Sequence, residues 1–128
     1  MAVQGRMRLI VSMDRPYQKL IAWQEAHKLC RWTHELVRTF PYAERNRLID
    51  QMCRSSYSVP TNLAEGSGKK SQKERRHYYE IAHCSLEELH YQLFLCRDLK
   101  YVSDQQFIDA EDRIRRTSYL INRLRGVI

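Results

Sequence analysis

Residues 58–74, SVPTNLAEGSGKKSQKE, gather the side chains most suggestive of chemistry. A proline sits inside an apolar, helix-spaced pattern. Asn62 and Glu65 follow, then Gly66 and Gly68, then Lys69, Lys70 and Lys73. GSGKKS superficially resembles a nucleotide-phosphate loop. That pattern needs a glycine five residues before the Gly-Lys pair and a Ser or Thr directly after the Lys, with a strand in front. Leu63 and Lys70 occupy those places and no strand precedes, so nucleotide hydrolysis is not expected. A weaker reading stands. Accessible N–H groups around the glycines, the positive end of the next helix and three lysines make a competent site for one backbone phosphate.

The histidines raise metal chemistry. Glu80 and His83 form one ExxH pair and Glu87 and His90 another. Di-iron bundles use that spacing on two different helices, with a lone Glu from each of the others. Both pairs here lie seven residues apart on one segment, and the last segment has no His. No metal and no cofactor are therefore expected. His27 and His34 read as packing or interface groups. Adjacent carboxylates such as Glu87 and Glu88 point to different faces and cannot share a proton. With no HExxH, GxSxG or oriented Cys-His arrangement, the chain is not expected to be an enzyme.

The elements carrying these residues read as helices. Leu20, Trp23, Ala26, Cys30, Thr33 and Val37 recur every three or four residues and predict a first helix over 17–39, ended by Phe40-Pro41. Leu48, Met52, Ser55, Val59 and Leu63 predict a second over 47–65. Pro60 should bend this helix rather than end it, because the pattern continues past it. Gly66 is the expected left-handed stop. Gln51, Ser58, Asn62 and Glu65 line a polar stripe beside the core stripe, an expected internal hydrogen-bond network reaching groups freed by the proline. Ser71 with Glu74 opens a third helix as a capping box, with Tyr78, Ala82, Leu86, Leu89, Leu93 and Cys96 as its core. Tyr79, Tyr91, Phe94 and Leu95 exceed what one core stripe uses and are the expected oligomer interface. Ser103 with Gln106 opens a fourth helix, whose seam runs from Phe107 through Ala110, Ile114, Thr117, Ile121 and Leu124 to Ile128.

Short connections make consecutive helices antiparallel. The expected fold is all-α: an antiparallel up-down-up-down four-helix bundle over 17–128, preceded by a basic extension over 1–16. That topology brings three basic blocks, residues 1–16, 67–77 and 113–128, to one end, with net charges of +2, +4 and +5 against +7 for the whole chain. Residues 78–112 carry −6. An anionic partner is expected at the basic end, held by Lys69, Lys70, Lys73, Arg75, Arg76, Arg113, Arg116, Arg123 and Arg125. Sixteen of the 22 basic residues are Arg, whose planar fork suits phosphate. No apolar run is long enough to span a bilayer, and the N-terminus is a poor signal peptide. Four cysteines without a CxxC pair read as buried apolar groups in a reducing cytoplasm.

FPYAERNRLIDQMCRSSYSVPTNLAEGSGKKSQKE, YEIAHCSLEELHYQL and LKYVS together resemble the four-helix bundle family also called 23S rRNA-intervening-sequence proteins. Its pattern looks like FP..E..GL..Q.RR...SI..NIAEG, then IA.GS..E...L, then a Gly-Tyr turn. The resemblance covers about residues 17–125, and NLAEG is its most specific part. Arg47, Cys84 and Lys100 depart from it, each standing where a glycine or small residue is usual. The resemblance implies small cytosolic bacterial proteins without known catalysis that tend to form homopentamers. Some are encoded inside insertions in 23S rRNA genes. A related branch serves diversity-generating retroelements as an accessory subunit that binds nucleic acid and a reverse transcriptase. The expected function is a non-catalytic, oligomeric bundle binding RNA or DNA backbone. The alternative is a protein-interaction adaptor, for example for a reverse transcriptase.

Overall fold

The structure is a computed structural model that describes residues 15–127. Most of the expected basic extension (residues 1–14) and Ile128 lie outside the described residues.

Four long helices carry the chain: α1 Ile21–Leu36, α2 Leu48–Ser67, α3 Gln72–Asp98 and α4 Asp104–Arg125. Among the described residues there is no strand. The first helix is shorter than its periodicity suggests, because its ends tighten into 3₁₀ turns at Pro16–Lys19 and Val37–Thr39. Leu20 takes an extended conformation (ψ 125°) and separates the first turn from α1. Phe40 is extended as well (ψ 158°), as the residue before a proline prefers.

Contacting side chains pair in reverse order. Ser55 meets Gln92, Ser58 meets Ser85, and Gly66 meets Tyr78 and Tyr79 along α2 and α3. Phe94 meets Phe107 and His90 meets Glu111 along α3 and α4. Trp32 meets Arg113 and Glu25 meets Arg116 along α1 and α4. Neighbours are therefore antiparallel in space. The substantial interhelical contacts are α1 with α2 and α4, and α3 with α2 and α4.

Leu29, Met52, Leu63, Leu86, Leu89, Leu93 and Ile121 are fully buried between them. Thr33 and Thr117 are buried too. Each hydroxyl donates to the carbonyl four residues back, 2.8 Å away, so neither leaves an unsatisfied group.

The helix ends follow their caps. Ser103 and Gln106 form a full capping box. At α3, Ser71 Oγ accepts from the Glu74 N–H (3.1 Å), but Glu74 turns its carboxylate to the Ser71 hydroxyl and not to its backbone.

Gly66 departs from expectation. It lies inside α2 and is buried, and the helix runs on to Ser67. A Cβ there would sit 2.8 Å from Tyr78 Cβ and 2.9 Å from Tyr79 Cε1. The glycine is needed for close approach of two helices, not for a turn. α2 is one helix through the buried Pro60. Of the cysteines, Cys96 is buried, Cys30 and Cys53 are half-buried, and Cys84 is exposed, against the expectation that all four pack inside.

Candidate nucleic-acid interface

Where α2 ends and α3 begins, the chain turns through Gly68–Ser71. Arg75, on the first turn of α3, reaches back over this turn. Its Nη1 donates to the carbonyls of Lys69 (2.8 Å) and Lys70 (2.9 Å). Arg75 thus holds the backbone that presents the lysines. Lys69 lays its ammonium 5.1 Å from the centroid of the Tyr78 ring, a cation–π contact. Lys70, Lys73 and Arg76 are exposed.

The end of α4 arrives beside them. It closes on Gly126, whose left-handed φ of 76° only glycine adopts freely. Arg76 Nη2 lies 4.0 Å from where a Cβ on Gly126 would stand. Arg123 is exposed. Arg125 donates to Asn122 Oδ1 at 2.7 Å, and its buried Nε finds no partner among the described residues. His83 lies close enough to feel this charge. Burial pushes its pKa down, Arg125 adds to that, and Glu87 opposes it.

Arg15 and Lys19, either side of Tyr17, complete the end. Over residues 15–22, 62–77 and 120–127 the chain carries nine Lys and Arg against Glu65 and Glu74 alone. Seven of the nine expected contact residues are therefore brought together: Lys69, Lys70, Lys73, Arg75, Arg76, Arg123 and Arg125.

Arg113 and Arg116 lie elsewhere. Arg113 stands over the Trp32 ring at 5.5 Å, and Arg116 pairs with Glu25 at 3.2 Å. They face α1 on the flank, because residues 113 and 125 are twelve positions apart, about 18 Å along a helix. Counting charge by sequence block merged two places that a straight helix separates.

The expected polar network is only partly present. Asn62 donates to the Ser58 carbonyl (2.8 Å) and hydroxyl (3.1 Å), and Ser58 meets Ser85 of α3 (2.8 Å). Asn62 does not reach the Ser56 carbonyl that Pro60 leaves without its helical donor. Gln51 and Glu65 are exposed and outside the network. A separate buried pair went unread in the sequence: Ser55 Oγ donates to Gln92 Oε1 at 2.6 Å. Only the core position of Ser55 in the α2 stripe hinted at it.

Tyr79 also moves. Expected on an outward face, it is 6% exposed and packs on Gly66. Burial pushes its phenol pKa up, partly opposed by Arg75. Tyr91 and Phe94 remain outward at 62% and 41% exposure, and Leu95 is half-buried.

His83 and His90 do not converge on one point. His90 reaches across to Glu111 of α4 at 3.0 Å. Among the described residues no three His, Cys, Asp or Glu side chains are placed to hold one ion, and no helix is long and apolar enough to cross a membrane.

Residues 18–123 match the family model described as 23S rRNA-intervening sequence protein. The chain belongs to that family. A crystal structure of a protein of unknown function from the S23 ribosomal protein family of Bacteroides thetaiotaomicron is similar in fold. It has a TM-score of 0.72 at 15% identity, covering 82% of this chain and 98% of that one. No curated protein matches the sequence. Within the family pattern, Gly66 now has a physical role in this member, and Lys100 stands out. It is the one non-glycine residue with positive φ (63°) among the described residues.

Proposed function

We propose that this family member is a non-catalytic, oligomeric helical bundle that binds nucleic-acid backbone through its basic end. The observation that carries the reading is the concentration of nine basic against two acidic residues around one end of the bundle. Neutralising phosphates there releases counterions, so affinity should fall steeply and linearly with the logarithm of salt concentration. Contacts to phosphate position a strand without reading its sequence. Membership of a family described by an intervening sequence in 23S rRNA is consistent with a nucleic-acid-associated role. Exposed Tyr91 and Phe94 would serve self-association into a ring, with pentamers implied by the family resemblance, so that several basic ends form one collar. A filter-binding titration of RNA and DNA from low to high salt tests the reading. A steep negative slope is expected. A flat slope, or no retention at low salt, overturns it. Mass in solution tests the ring.

A second reading rests on the other end of the α2–α3 pair. There a groove of about 550 Å³ is lined by Leu48, Tyr91, Leu95 and Leu99 together with polar side chains, among them Glu44 and Arg47. It would suit an adaptor that docks a protein partner, for example a reverse transcriptase, with nucleic acid contacted in the complex. Co-purification from the native host distinguishes the two.

A further inference from the structure

On the α1–α2 side of the basic end lies a groove of about 420 Å³, four of whose nine lining residues carry aromatic rings. On the α1 side, the Trp23 and His27 rings are parallel within 6°, with centroids 5.0 Å apart. Tyr17, from the preceding 3₁₀ turn, meets Trp23 edge-on at 5.0 Å. On the α2 side, Tyr57 is 50% exposed and Glu65 stands one turn from the helix end, with the buried Pro60 between. Neither His27 nor Tyr57 is used by the protomer's core.

We infer that this groove is a stacking slot for an unpaired nucleobase of a single-stranded nucleic acid, a deepening that rests on the backbone-binding reading above. Flat aromatic faces suit any base, because every base has a π-face. Glu65 sets the orientation. Its carboxylate repels a phosphate inside the slot but accepts from base amino and imino N–H groups. The lining itself holds no Lys or Arg, while Arg15 and Lys19 flank Tyr17 in the chain and Lys70 follows Glu65 by five positions. Phosphates would lie along this basic rim while a base turns inward. Bases paired within a duplex cannot enter, so the slot selects single strands. A second copy of the same end is a poor occupant, because it would set two basic rims against each other.

The test uses the full chain with Trp32→Phe, leaving Trp23 as the sole indole reporter. Three probes of equal length, roughly fifteen nucleotides, are compared: an ordinary single strand, an abasic strand of the same charge, and a duplex. The ordinary strand should bind tightest and quench Trp23. Tyr57→Ala and His27→Ala should each weaken it about 5- to 100-fold, leaving abasic affinity and salt slope unchanged. Tyr57→Phe should retain affinity. Equal affinity for ordinary and abasic strands without quenching overturns the slot and leaves backbone binding intact. If no strand binds at any salt, backbone binding fails and a mononucleotide decides the slot. Quenching that Tyr57→Ala abolishes upholds it, and no quenching overturns it. Binding and quenching seen only after removal of residues 1–14 would make that segment the occupant and would also overturn it.

Discussion

Gly66 joins sequence to packing through one missing carbon. A helical glycine costs about 1 kcal/mol against alanine, so Gly66→Ala would ordinarily stabilise α2. Here the new Cβ would lie within 3 Å of Tyr78 and Tyr79, and 3.2 Å from the Arg75 carbonyl oxygen. One of those neighbours is backbone and cannot step aside. The clash should outweigh propensity and destabilise the fold by roughly 1–3 kcal/mol. Gly68 is the control, since a Cβ there meets only the Glu65 carbonyl at an ordinary 3.6 Å. Paired thermal melts should show Gly66→Ala falling and Gly68→Ala staying near wild type. A Gly66→Ala variant as stable as wild type would remove the close-approach argument. In the sequence this glycine reads as a helix stop, because a chain displays its own turn signals but not the helix that passes beside it. The Ser55–Gln92 bond was hidden for the same reason: its two ends are 37 residues apart.

At the scale of elements, the turn between α3 and α4 shows the cost of one departure from the family pattern. The Tyr101 N–H donates to the Cys96 carbonyl (2.8 Å) and the Lys100 N–H to Arg97 (3.0 Å), the paired bonds of a Schellman motif. Its left-handed position is filled by Lys100 at φ 63°, where a side chain costs roughly 1–2 kcal/mol. Lys100→Gly removes that strain but frees the unfolded chain. The net expectation is stabilisation of about 0.5–1 kcal/mol, read as a higher urea midpoint with an unchanged slope. The next residue ties this turn to the 3₁₀ turn at Tyr42–Glu44. Tyr101 donates its hydroxyl to Glu44 at 2.7 Å, and that bond, then burial and the Glu44 charge, raise its pKa. Folding therefore favours the protonated phenol. Its contribution is complete below the unfolded value near 10 and is lost as pH rises through the higher folded value. Wild-type minus Tyr101→Phe phenolate absorbance should show one late-titrating tyrosine. Glu44→Gln should bring it earlier; an unmoved titration would mean the bond does not hold the phenol. Helix identity and order were legible here because apolar residues recur at three and four. The 3₁₀ ends of the first helix were not, since backbone dihedrals at Leu20 leave the apolar period intact.

For the whole molecule, folding turns an alternating chain into a lopsided one. Topology alone, four helices with short turns, brings the 67–77 block and the end of α4 together, and so much of the basic end could be read before any coordinate. What could not be read was how far up α4 each arginine stands and which already have partners. Arg116 sits against Glu25 and Arg113 against Trp32, both removed from the basic end, while Arg75 is committed to two loop carbonyls. Under the proposed function, these commitments separate residues expected to bind from residues expected to support. Lys70→Ala deletes an exposed cation, so affinity should fall uniformly across sequences and the salt slope should shrink by about 0.7–0.9 for each phosphate no longer neutralised. Arg116→Ala should leave the slope unchanged, and its effect on stability should be small, since exposed ion pairs contribute about 0–1 kcal/mol. Arg75→Ala should act through the loop. Faster hydrogen exchange at the amides of residues 69–71 would accompany weaker binding, and Arg75→Lys would not restore it, because one ammonium does not reproduce the planar fork. A slope reduced by Arg116→Ala as much as by Lys70→Ala would place the strand along the α1–α4 flank and displace the basic end as the binding surface.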